Sequence, residues 1–342
     1  MKVLFVVSGN NDYYDIAPFI KSQGDSLVAE GIEVSYYLIK GKGALNYLKN
    51  AGPLKRYLKE HPADIIHAHY SLCGWVAVLA AGSTPVVLSY MGDDLNGAHV
   101  GLGKRDFRSS MLVWLGKAVQ PFVQAIICKS PNLEKLVRRK NITHLIPNGV
   151  RLDQFAINEQ GYREELGLDP DKKYVLFLGD PANVNKNYAL AEAATKLLNR
   201  PDVELIARYD VSHDLVVKYL NSANVFVLCS FSEGSPNVVK EAMACNCPTV
   251  VTDVGDAAWV VRGTQGCGVG GFDPADFAVP LSRALEFSVK HGRTNGRERL
   301  LSLGLDAQAI ARRLMGVYDQ LLNADRQRSM SSVNVNTNQV NQ

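Results

Sequence analysis

Two glutamates, Glu233 and Glu241, stand eight positions apart in the segment FSEGSPNVVKEAMACNCPTVV, residues 231–251. An ionised carboxylate only accepts hydrogen bonds, which suits it to gripping the hydroxyl groups of a sugar. Two such groups at one cleft would bind a polyhydroxylated ligand. The spacing alone leaves two other interpretations open: a loop acid beside a helix dipole for Glu233, and a solvated helix acid for Glu241.

The residues between and after the two glutamates predict a helix. Ser235 suits the N-cap and Pro236 the first helical position. Asn246 suits the left-handed position just past the helix end. Glu233 then lies in the loop before the helix, facing a cleft, and Glu241 lies about two turns further on.

Two other segments suit the binding of phosphate. Lys186, in GDPANVNKN (179–187), follows a predicted strand and precedes a predicted helix. A lysine beside the unpaired N–H groups of a helix N-terminus makes a diphosphate site, and the alternative is one more surface lysine. Gly9, in SGNN (8–11), allows a ligand to approach the backbone closely. The alternative there is an ordinary turn, since the dinucleotide fingerprint GxGxxG is missing.

Two further polar clusters come at the ends of predicted strands. We expect His67 and His69 of HAHY to point to opposite faces of their strand, so that they share no metal ion. Asp93 and Asp94 of MGDDLNG are expected to cap the next element, and hydroxyl binding is the alternative.

An alternation of strand and helix patterns must position these motifs. Near-continuous Val/Ile/Leu runs suit strands that are buried on both faces of a parallel sheet. Repeated βαβ units predict an α/β protein with two doubly wound domains. Ligands then bind beyond the carboxyl ends of the strands, in the cleft between the domains. The predicted strands are 3–7, 33–39, 64–69, 85–90, 125–130, 143–147, 174–179, 203–208, 225–230 and 248–253.

The domain limits follow from a loop-like stretch and a change of composition. IPNGVRLDQFAINEQ contains Pro, Asn and Gly together, so we predict a first domain over 1–150 and a second over 151–325. The last helix candidate is 306–325. The remainder, 326–342, is polar and low in complexity, which predicts a disordered tail.

Composition and charge narrow the class of protein. The chain of 342 residues is 46% hydrophobic and 21% charged, as in soluble globular proteins. No apolar run approaches the roughly 18 residues of a transmembrane helix. The six cysteines lack paired CxxC spacing, which favours reduced thiols in a cytoplasm.

The first half is basic and suits an anionic partner. Residues 1–150 hold 17 Lys and Arg against 11 Asp and Glu, a balance that attracts a membrane surface or a phosphorylated lipid. The segment 99–123 reads as a basic, apolar helix that either lies on an anionic bilayer or packs on a sheet. Its basic residues are Lys104, Arg105, Arg108 and Lys117. Nucleic acid is not expected as a partner, because basic residues are not clustered with stacking aromatics.

Taken together and in order, the motifs resemble those of the retaining GT-B glycosyltransferases of family 4. The resemblance rests on EGSP (233–236) and EAMA (241–244), followed by CPTVV and VGD (254–256), with IPNGV and DIIHAHY earlier in the chain. It covers about 1–325. The amino-acid sequence of the second half of the chain resembles that of enzymes that build bacterial surface polysaccharides.

The resemblance implies two Rossmann-like domains, with a nucleotide sugar held mainly by the second and the final helix crossing back to the first. By analogy Glu241 holds the ribose hydroxyls and Lys186 binds the diphosphate. Such enzymes need no metal, because cations and helix N-termini carry the negative charge of the leaving group. The donor sugar and phosphates are contacted by Glu233 and by the backbone around Gly234, Ser235, Asn237 and Gly9.

Two departures from the family pattern concern catalysis. Many members pair the lysine with an arginine just after the same strand, where this chain has Gly179-Asp180. Arg208, at the end of the next strand, is the candidate substitute. Many members also carry a histidine where this chain has Tyr90-Met91.

The sequence thus predicts a retaining glycosyltransferase. It would move a sugar from a UDP- or GDP-sugar to a lipid-linked or oligosaccharide acceptor in cell-surface polysaccharide biosynthesis, without a metal or other cofactor. We expect it in the cytoplasm, peripherally at the inner face of the plasma membrane. Two alternatives stay open: a nucleotide-sugar epimerase of the same fold, and a catalytically inactive, glycosyltransferase-like partner protein.

Overall fold

Two parallel β-sheets flanked by helices make up the computed structural model, which describes residues 1–10, 14–107, 109–158 and 160–339. The strands are β1 (Lys2–Ser8), β2 (Glu33–Ile39), β3 (Ile65–His69), β4 (Val86–Ser89), β5 (His99–Gly101), β6 (Lys104–Arg105), β7 (Ala125–Cys128), β8 (Thr143–Leu145), β9 (Lys173–Leu178), β10 (Val203–Arg208), β11 (Val225–Leu228), β12 (Thr249–Thr252) and β13 (Gly268–Gly270). The first sheet has the order β2-β1-β3-β4-β7-β8 and the second the order β10-β9-β11-β12-β13, with every neighbouring pair parallel.

Helices connect the strands and cover both faces of each sheet. They are α1 (Pro18–Ala29), α2 (Ala44–Leu48), α3 (Ala51–Glu60), α4 (Ser71–Ala80), α5 (Asp93–Asn96), α6 (Ser109–Ala118), α7 (Pro131–Leu136), α8 (Tyr188–Leu197), α9 (His213–Ser222), α10 (Asn237–Ala244), α11 (Ala257–Val261), α12 (Pro274–His291), α13 (Gly296–Ser302) and α14 (Ala307–Gln339). Short 3-10 helices span Gln120–Phe122, Lys140–Ile142 and Val184–Lys186.

The predicted α/β fold with two doubly wound sheets is confirmed. Central strands such as β4, β7 and β11 are buried along their whole length, as expected where helices cover both faces of a parallel sheet. The first sheet ends at Leu145 and the second begins at Lys173. The domain limits at 150 and 325 stay predictions.

The segment 99–123 is not one helix. Its first part forms the antiparallel hairpin β5–β6, and the helix α6 begins only at Ser109. The chain reverses at Gly103, whose φ of 67° lies in the left-handed region, where glycine pays no steric penalty. Arg108 lies outside the described residues.

The last helix, α14, crosses back to the first domain and packs against α1. Arg312 pairs with Glu30 of α1 at 3.2 Å, and the hydroxyl of Tyr318 lies 2.6 Å from Nδ1 of His67 on β3. The helix continues to Gln339, where composition predicts a disordered tail. Extending a formed helix costs less than nucleating one, so polar residues can follow on from a packed segment; residues 340–342 lie outside the described residues.

The expectation that His67 and His69 point to opposite faces of β3 is wrong. Their rings stack with centroids 4.3 Å apart, because residues i and i+2 of a strand point to the same face. Both side chains are buried, and Nε2 of His67 also lies 2.7 Å from Oγ of Ser89. Burial lowers the pKa of both imidazoles well below the usual value, so the pair is neutral and structural in character.

The state of the cysteines and the absence of a membrane-spanning helix were both expected from the sequence. Each of the six cysteines is a free thiol, and all but Cys267 are buried. None of the helices in the described ranges is long and apolar enough to cross a membrane.

Candidate active site

An ion pair between Lys186 and Glu233 forms the centre of the candidate site. Lys186 ends the 3-10 helix that follows β9, and Glu233 lies in the loop between β11 and α10. The Nζ atom of Lys186 lies 2.7 Å from Oε1 of Glu233. Ser230 donates a second hydrogen bond to that same oxygen at 2.8 Å. The other carboxylate oxygen, Oε2, has no partner among the described residues, so it is available to a ligand.

The two loops that carry this pair are joined to each other. The side-chain amide of Asn185 donates to the carbonyl of Ser232 at 2.9 Å, and the backbone N–H of Phe231 donates to the carbonyl of Asn185 at 2.9 Å. Asn183 caps the 3-10 helix by accepting from the N–H of Asn185. Lys186 is therefore held on a short, anchored element rather than on a free loop.

Glu241 and Asn237 lie one turn apart on the same face of α10. Both line a small cavity between α10, α1 and the segment 149–155, with His213 of α9 at its edge. Burial raises the pKa of the Glu241 carboxyl from 4.5 to about 7. The amide oxygen of Asn237 is buried without a partner among the described residues. Two side-chain acceptors thus face a cavity that the protein itself leaves unfilled.

Ser235 is not the N-cap that the sequence predicts. The helix α10 begins at Asn237 with Pro236 in the N-cap position, where no side chain caps it. The Ser235 hydroxyl instead donates to Oδ2 of Asp256 at 2.7 Å and accepts from Nζ of Lys240 at 2.7 Å. Lys240 and Asp256 pair at 2.8 Å and are completely buried. Buried charges need additional hydrogen bonds, which explains why they engage this hydroxyl.

The opposite end of α10 agrees with its prediction. Asn246 has a φ of 53°. The N–H of Cys247 donates to the carbonyl of Ala242, and that of Asn246 to Met243. This pair of bonds is the Schellman arrangement, in which a left-handed residue ends the helix.

Lys129, which follows β7 in the first domain, is a buried cation that the sequence analysis missed. Its Nζ atom has no hydrogen-bond partner among the described residues. Burial, and after it the charge of Lys240, lowers the Lys129 pKa to about 7. Lys129 therefore lies within electrostatic reach of the buried cluster of Ser235, Lys240 and Asp256. No local pattern marks it, because the charges of Lys240 and Asp256 that act on it come from the other domain.

The first domain touches the Glu233 loop directly. A Cβ atom added to Gly234 would lie 2.4 Å from the carbonyl oxygen of Met91, so only glycine fits this approach. The Asn96 amide donates to the hydroxyl of Ser232 at 3.0 Å. The N–H of Asn148 donates to the Ser235 hydroxyl at 3.1 Å. The loop after β4 thus forms one wall of the cleft opposite Lys186 and Glu233.

Asp93 and Asp94, on that wall, have different environments. Asp94 is buried and caps its turn, accepting from the N–H groups of Ser71, Met91 and Gly92. Burial raises the pKa of Asp94 to about 6, although these three hydrogen bonds act to lower it. Asp93 is open to solvent, and its carboxylate has no hydrogen-bond partner among the described residues. Partial desolvation and then the charge of Glu233 raise the pKa of Asp93, so this carboxyl faces the Lys186–Glu233 pair across the cleft.

The chain matches two family profiles. Residues 14–154 match Glycosyltransferase Family 4, and residues 175–286 match Glycosyl transferases group 1. The chain belongs to the group 1, family 4 glycosyltransferases. The first match covers most of the first sheet, and the second covers most of the second sheet and its loops, including Lys186, Glu233 and Glu241.

Curated relatives and solved structures agree with this membership. A relative from Bacillus subtilis (strain 168), named as a teichuronic acid biosynthesis glycosyltransferase, TuaC, is 27% identical over 56% of this chain and 54% of its own. The chain spans 58 to 63% of the length of further curated relatives. Sucrose-phosphate synthase of Thermosynechococcus elongatus covers 95% of this chain and aligns over all of its own, with a TM-score of 0.74 and 20% identity. HepE of Anabaena, solved in complex with UDP, covers 94% of this chain and aligns over all of its own, with a TM-score of 0.70 and 14% identity. These structures show the GT-B fold.

Two further predicted positions, Arg208 and Gly9, do not join the Lys186–Glu233 pair. The guanidinium of Arg208 lies over the Tyr219 ring, 4.7 Å from its centroid, and donates to the carbonyl of Ala207. The carbonyl of Gly9 accepts from Nζ of Lys40 at 2.8 Å, and residues 11–13 of the Gly9 loop lie outside the described residues. Arg208 and Gly9 keep their proposed roles as predictions.

Asp180, which stands where many family members have arginine, is used by its own turn. Its Oδ1 atom accepts from the N–H of Ala182 at 2.8 Å. A carboxylate engaged in this way begins the turn toward the 3-10 helix that carries Lys186. The position after β9 at which the family resemblance implies a second cation is thus occupied by a turn-forming acid.

Within the described ranges, no three His, Cys, Asp or Glu side chains come together as metal ligands. Metal independence stays a prediction of the family resemblance.

Proposed function

We propose that this chain is a retaining glycosyltransferase that takes its sugar from a UDP- or GDP-sugar. The observation that carries the proposal is that the Lys186–Glu233 pair and Glu241 both lie on the side of the second sheet that meets the first domain. Their elements all follow carboxyl ends of strands of the second sheet, where ligands of such sheets bind.

The cavity beside α10 suits the ribose of the donor. Among the described residues, the Glu241 carboxylate and the amide oxygen of Asn237 are side-chain acceptors without partners. Ribose offers two vicinal hydroxyl donors. An ionised carboxylate accepts such bonds more strongly than a neutral group does. Bound nucleotide therefore favours the charged form of Glu241.

The Lys186–Glu233 pair suits the diphosphate and the transferred sugar. An ammonium has three donors, and one is used by Glu233, so two remain for phosphate oxygens. The free Oε2 of Glu233 can accept from hydroxyls of the sugar. When the bond from sugar to phosphate breaks, negative charge grows on the diphosphate, and Lys186 stabilises it. In this proposal the nucleotide leaves without a metal ion.

The acceptor is proposed to be a lipid-linked glycan at the cytoplasmic face of a membrane. Exposed apolar side chains on the β5–β6 hairpin and α6 lie among basic ones, as on proteins that rest on anionic bilayers. The apolar members are Val100, Leu102, Phe107, Met111 and Trp114, and the basic ones are Lys104, Arg105 and Lys117. The name of the Bacillus subtilis relative supports a role in cell-surface polysaccharide synthesis.

The test is release of nucleotide from a panel of UDP- and GDP-sugars in the presence of membrane lipid extract, with and without EDTA. We expect one donor to be used equally with and without EDTA. Glu241→Ala should raise the donor KM roughly 10- to 100-fold, since hydrogen bonds to a charged group contribute about 1.5–3 kcal/mol each. Glu233→Ala should mainly lower kcat.

The matched control is Glu204→Ala, an exposed acid of β10. It should leave both constants unchanged. Equal turnover by the wild type, Glu233→Ala and Glu241→Ala would show the site assignment to be wrong. An isomerised donor without free nucleotide would instead identify an epimerase. NMR of the product linkage decides whether the anomeric configuration is retained.

A further inference from the structure

The first domain has a groove of its own, whose lining includes neither the Lys186–Glu233 pair nor Glu241. It encloses about 290 Å³ at the carboxyl edge of the first sheet, close to the roughly 300 Å³ at which ligand pockets begin. Asn10 after β1 and Tyr70 after β3 lie at its base, and its two walls are α2 and α6. It shares no lining residue with the cavity beside Glu241.

Much of the lining is apolar, and two of its polar side chains, those of Asn10 and Tyr47, already have hydrogen-bond partners. Leu72, Leu112 and Leu115 supply apolar surface. The Asn10 amide is already bound to the carbonyl of Gly41, and the Tyr47 hydroxyl to Ser8. A polar sugar would find few free partners along these walls, whereas a hydrocarbon chain would remove apolar surface from water.

Tyr70 is held in an unusual backbone conformation at the base of this groove. Its φ is 91° and its ψ is 143°, a region that bulky residues rarely occupy. Strain of this kind persists where the surroundings enforce it, and it concentrates at ligand sites. The conformation places an aromatic residue between the end of β3 and α4, facing the groove.

The two helices that form the walls expose large apolar side chains, and a basic residue lines the groove beside them. Leu45 on α2 is 78% exposed, and Met111 and Trp114 on α6 are 64% and 66% exposed. Lys42 lies at the rim. Neither α2 nor α6 contains an acidic residue, so nothing on the two walls repels an anionic headgroup.

We propose that this groove binds the hydrocarbon chain of a lipid-linked acceptor, with the phosphate of that lipid against Lys42. The inference rests on the proposed function. It names the chemical class of the acceptor, a lipid phosphate, and the groove in which that acceptor binds. The chain lies between α2 and α6, the phosphate lies at the rim, and the glycan extends toward the cleft.

The test is calorimetric titration of the full chain with decyl phosphate below its aggregation concentration, compared with inorganic phosphate and with decanol. We expect one decyl phosphate per chain, bound at least tenfold more tightly than either partial probe. Leu115→Trp, which fills the groove, and Lys42→Glu, which reverses the charge, should each weaken binding at least tenfold. The matched controls Leu197→Trp and Lys55→Glu, on exposed residues of α8 and α3, should bind as the wild type does.

Two results would overturn the inference. One is decyl phosphate that binds no better than its separate parts, and the other is wild-type affinity in both Leu115→Trp and Lys42→Glu. Thermal unfolding of the same variants checks their folding, and if Leu115→Trp does not fold, Lys42→Glu decides alone. If the protein releases nucleotide but binds no decyl phosphate, the proposed donor chemistry stands and the proposed lipid site is wrong. If the protein binds decyl phosphate in the groove but uses no nucleotide sugar, the lipid site stands and the proposed donor chemistry is wrong.

Discussion

At Glu241 a carboxyl group lies beside a cavity with little access to water. The other acid of the pair, Glu233, is compensated by Lys186 and Ser230, whereas Glu241 has no such partner among the described residues. The two glutamates therefore differ in electrostatic state, although their spacing in the sequence treats them alike. The pKa of Glu241 therefore differs between the folded and the unfolded chain.

We expect the stability of the protein to fall as pH rises from about 4.5 to about 7, through Glu241. In the unfolded chain this acid loses its proton near 4.5, while in the folded chain it holds the proton up to about 7. The folded state thus binds more protons in this window, and stability decreases with pH. Glu241→Gln lacks the titrating proton, so its melting temperature relative to wild type should rise across the window and then level off.

Scanning fluorimetry at several pH values measures this difference. Glu204→Gln, at an exposed position of the same domain, should show a constant offset. A constant offset for Glu241→Gln as well would mean that Glu241 titrates normally in the folded protein.

At the scale of the element, α10 is held at its N-terminal end by a buried ion pair rather than by a side-chain cap. Lys240 and Asp256 join α10 to the start of α11, and the Ser235 hydroxyl bridges them. The same hydroxyl accepts from Asn148, near the junction of the two sheets. The buried cluster therefore sets the position of the helix that carries Asn237 and Glu241.

Lys240→Met should destabilise the protein by about 3–5 kcal/mol, because it leaves Asp256 buried without its counter-charge. Ser235→Ala removes one hydroxyl and should cost about 1–3 kcal/mol. Urea unfolding measures both. The control is Lys196→Met in the exposed Lys196–Glu192 pair, for which about 0.3–0.5 kcal/mol is expected. Equal costs for Lys240→Met and Lys196→Met would refute the role given to the buried pair.

At the scale of the whole molecule, α14 joins the chain end to the first domain. Tyr318 is fully buried, and its hydroxyl meets His67 in the centre of the first sheet. The Arg312–Glu30 pair has a solvent-exposed arginine and contributes little by comparison. The orientation of the two sheets thus depends on a buried contact between residues 251 positions apart.

Tyr318→Phe should destabilise the protein by about 1–3 kcal/mol, because His67 Nδ1 loses its partner in a buried site. Amide hydrogen exchange should quicken along the packed part of α14, which opens more easily when this contact is lost. Tyr14→Phe, at an exposed tyrosine, should change neither quantity. Unchanged exchange in α14 of Tyr318→Phe would show that apolar packing alone holds the helix.

Local patterns were enough to predict the elements and part of the site. Continuous apolar runs placed the main strands to within two residues at most of their ends, since burial on both faces demands such runs. Asn246 at the end of α10 was predicted correctly because the left-handed conformation selects its residue type locally. Lys186 and Glu233 were located because each follows a strand of a parallel sheet. Their mutual contact, across 47 positions, was not foreseen.

The sequence by itself determined the fold class, the strands and the loops that carry candidate ligands, because these depend on periodicity and on local conformational preferences. The tertiary structure alone decided what each polar side chain contacts. Ser235 became the partner of a buried ion pair instead of a cap, Lys129 came within reach of charges from the other domain, and Asp93 and Asp94 took separate environments. The physical reason is that burial and pairing of charges depend on neighbours that folding brings from distant parts of the chain.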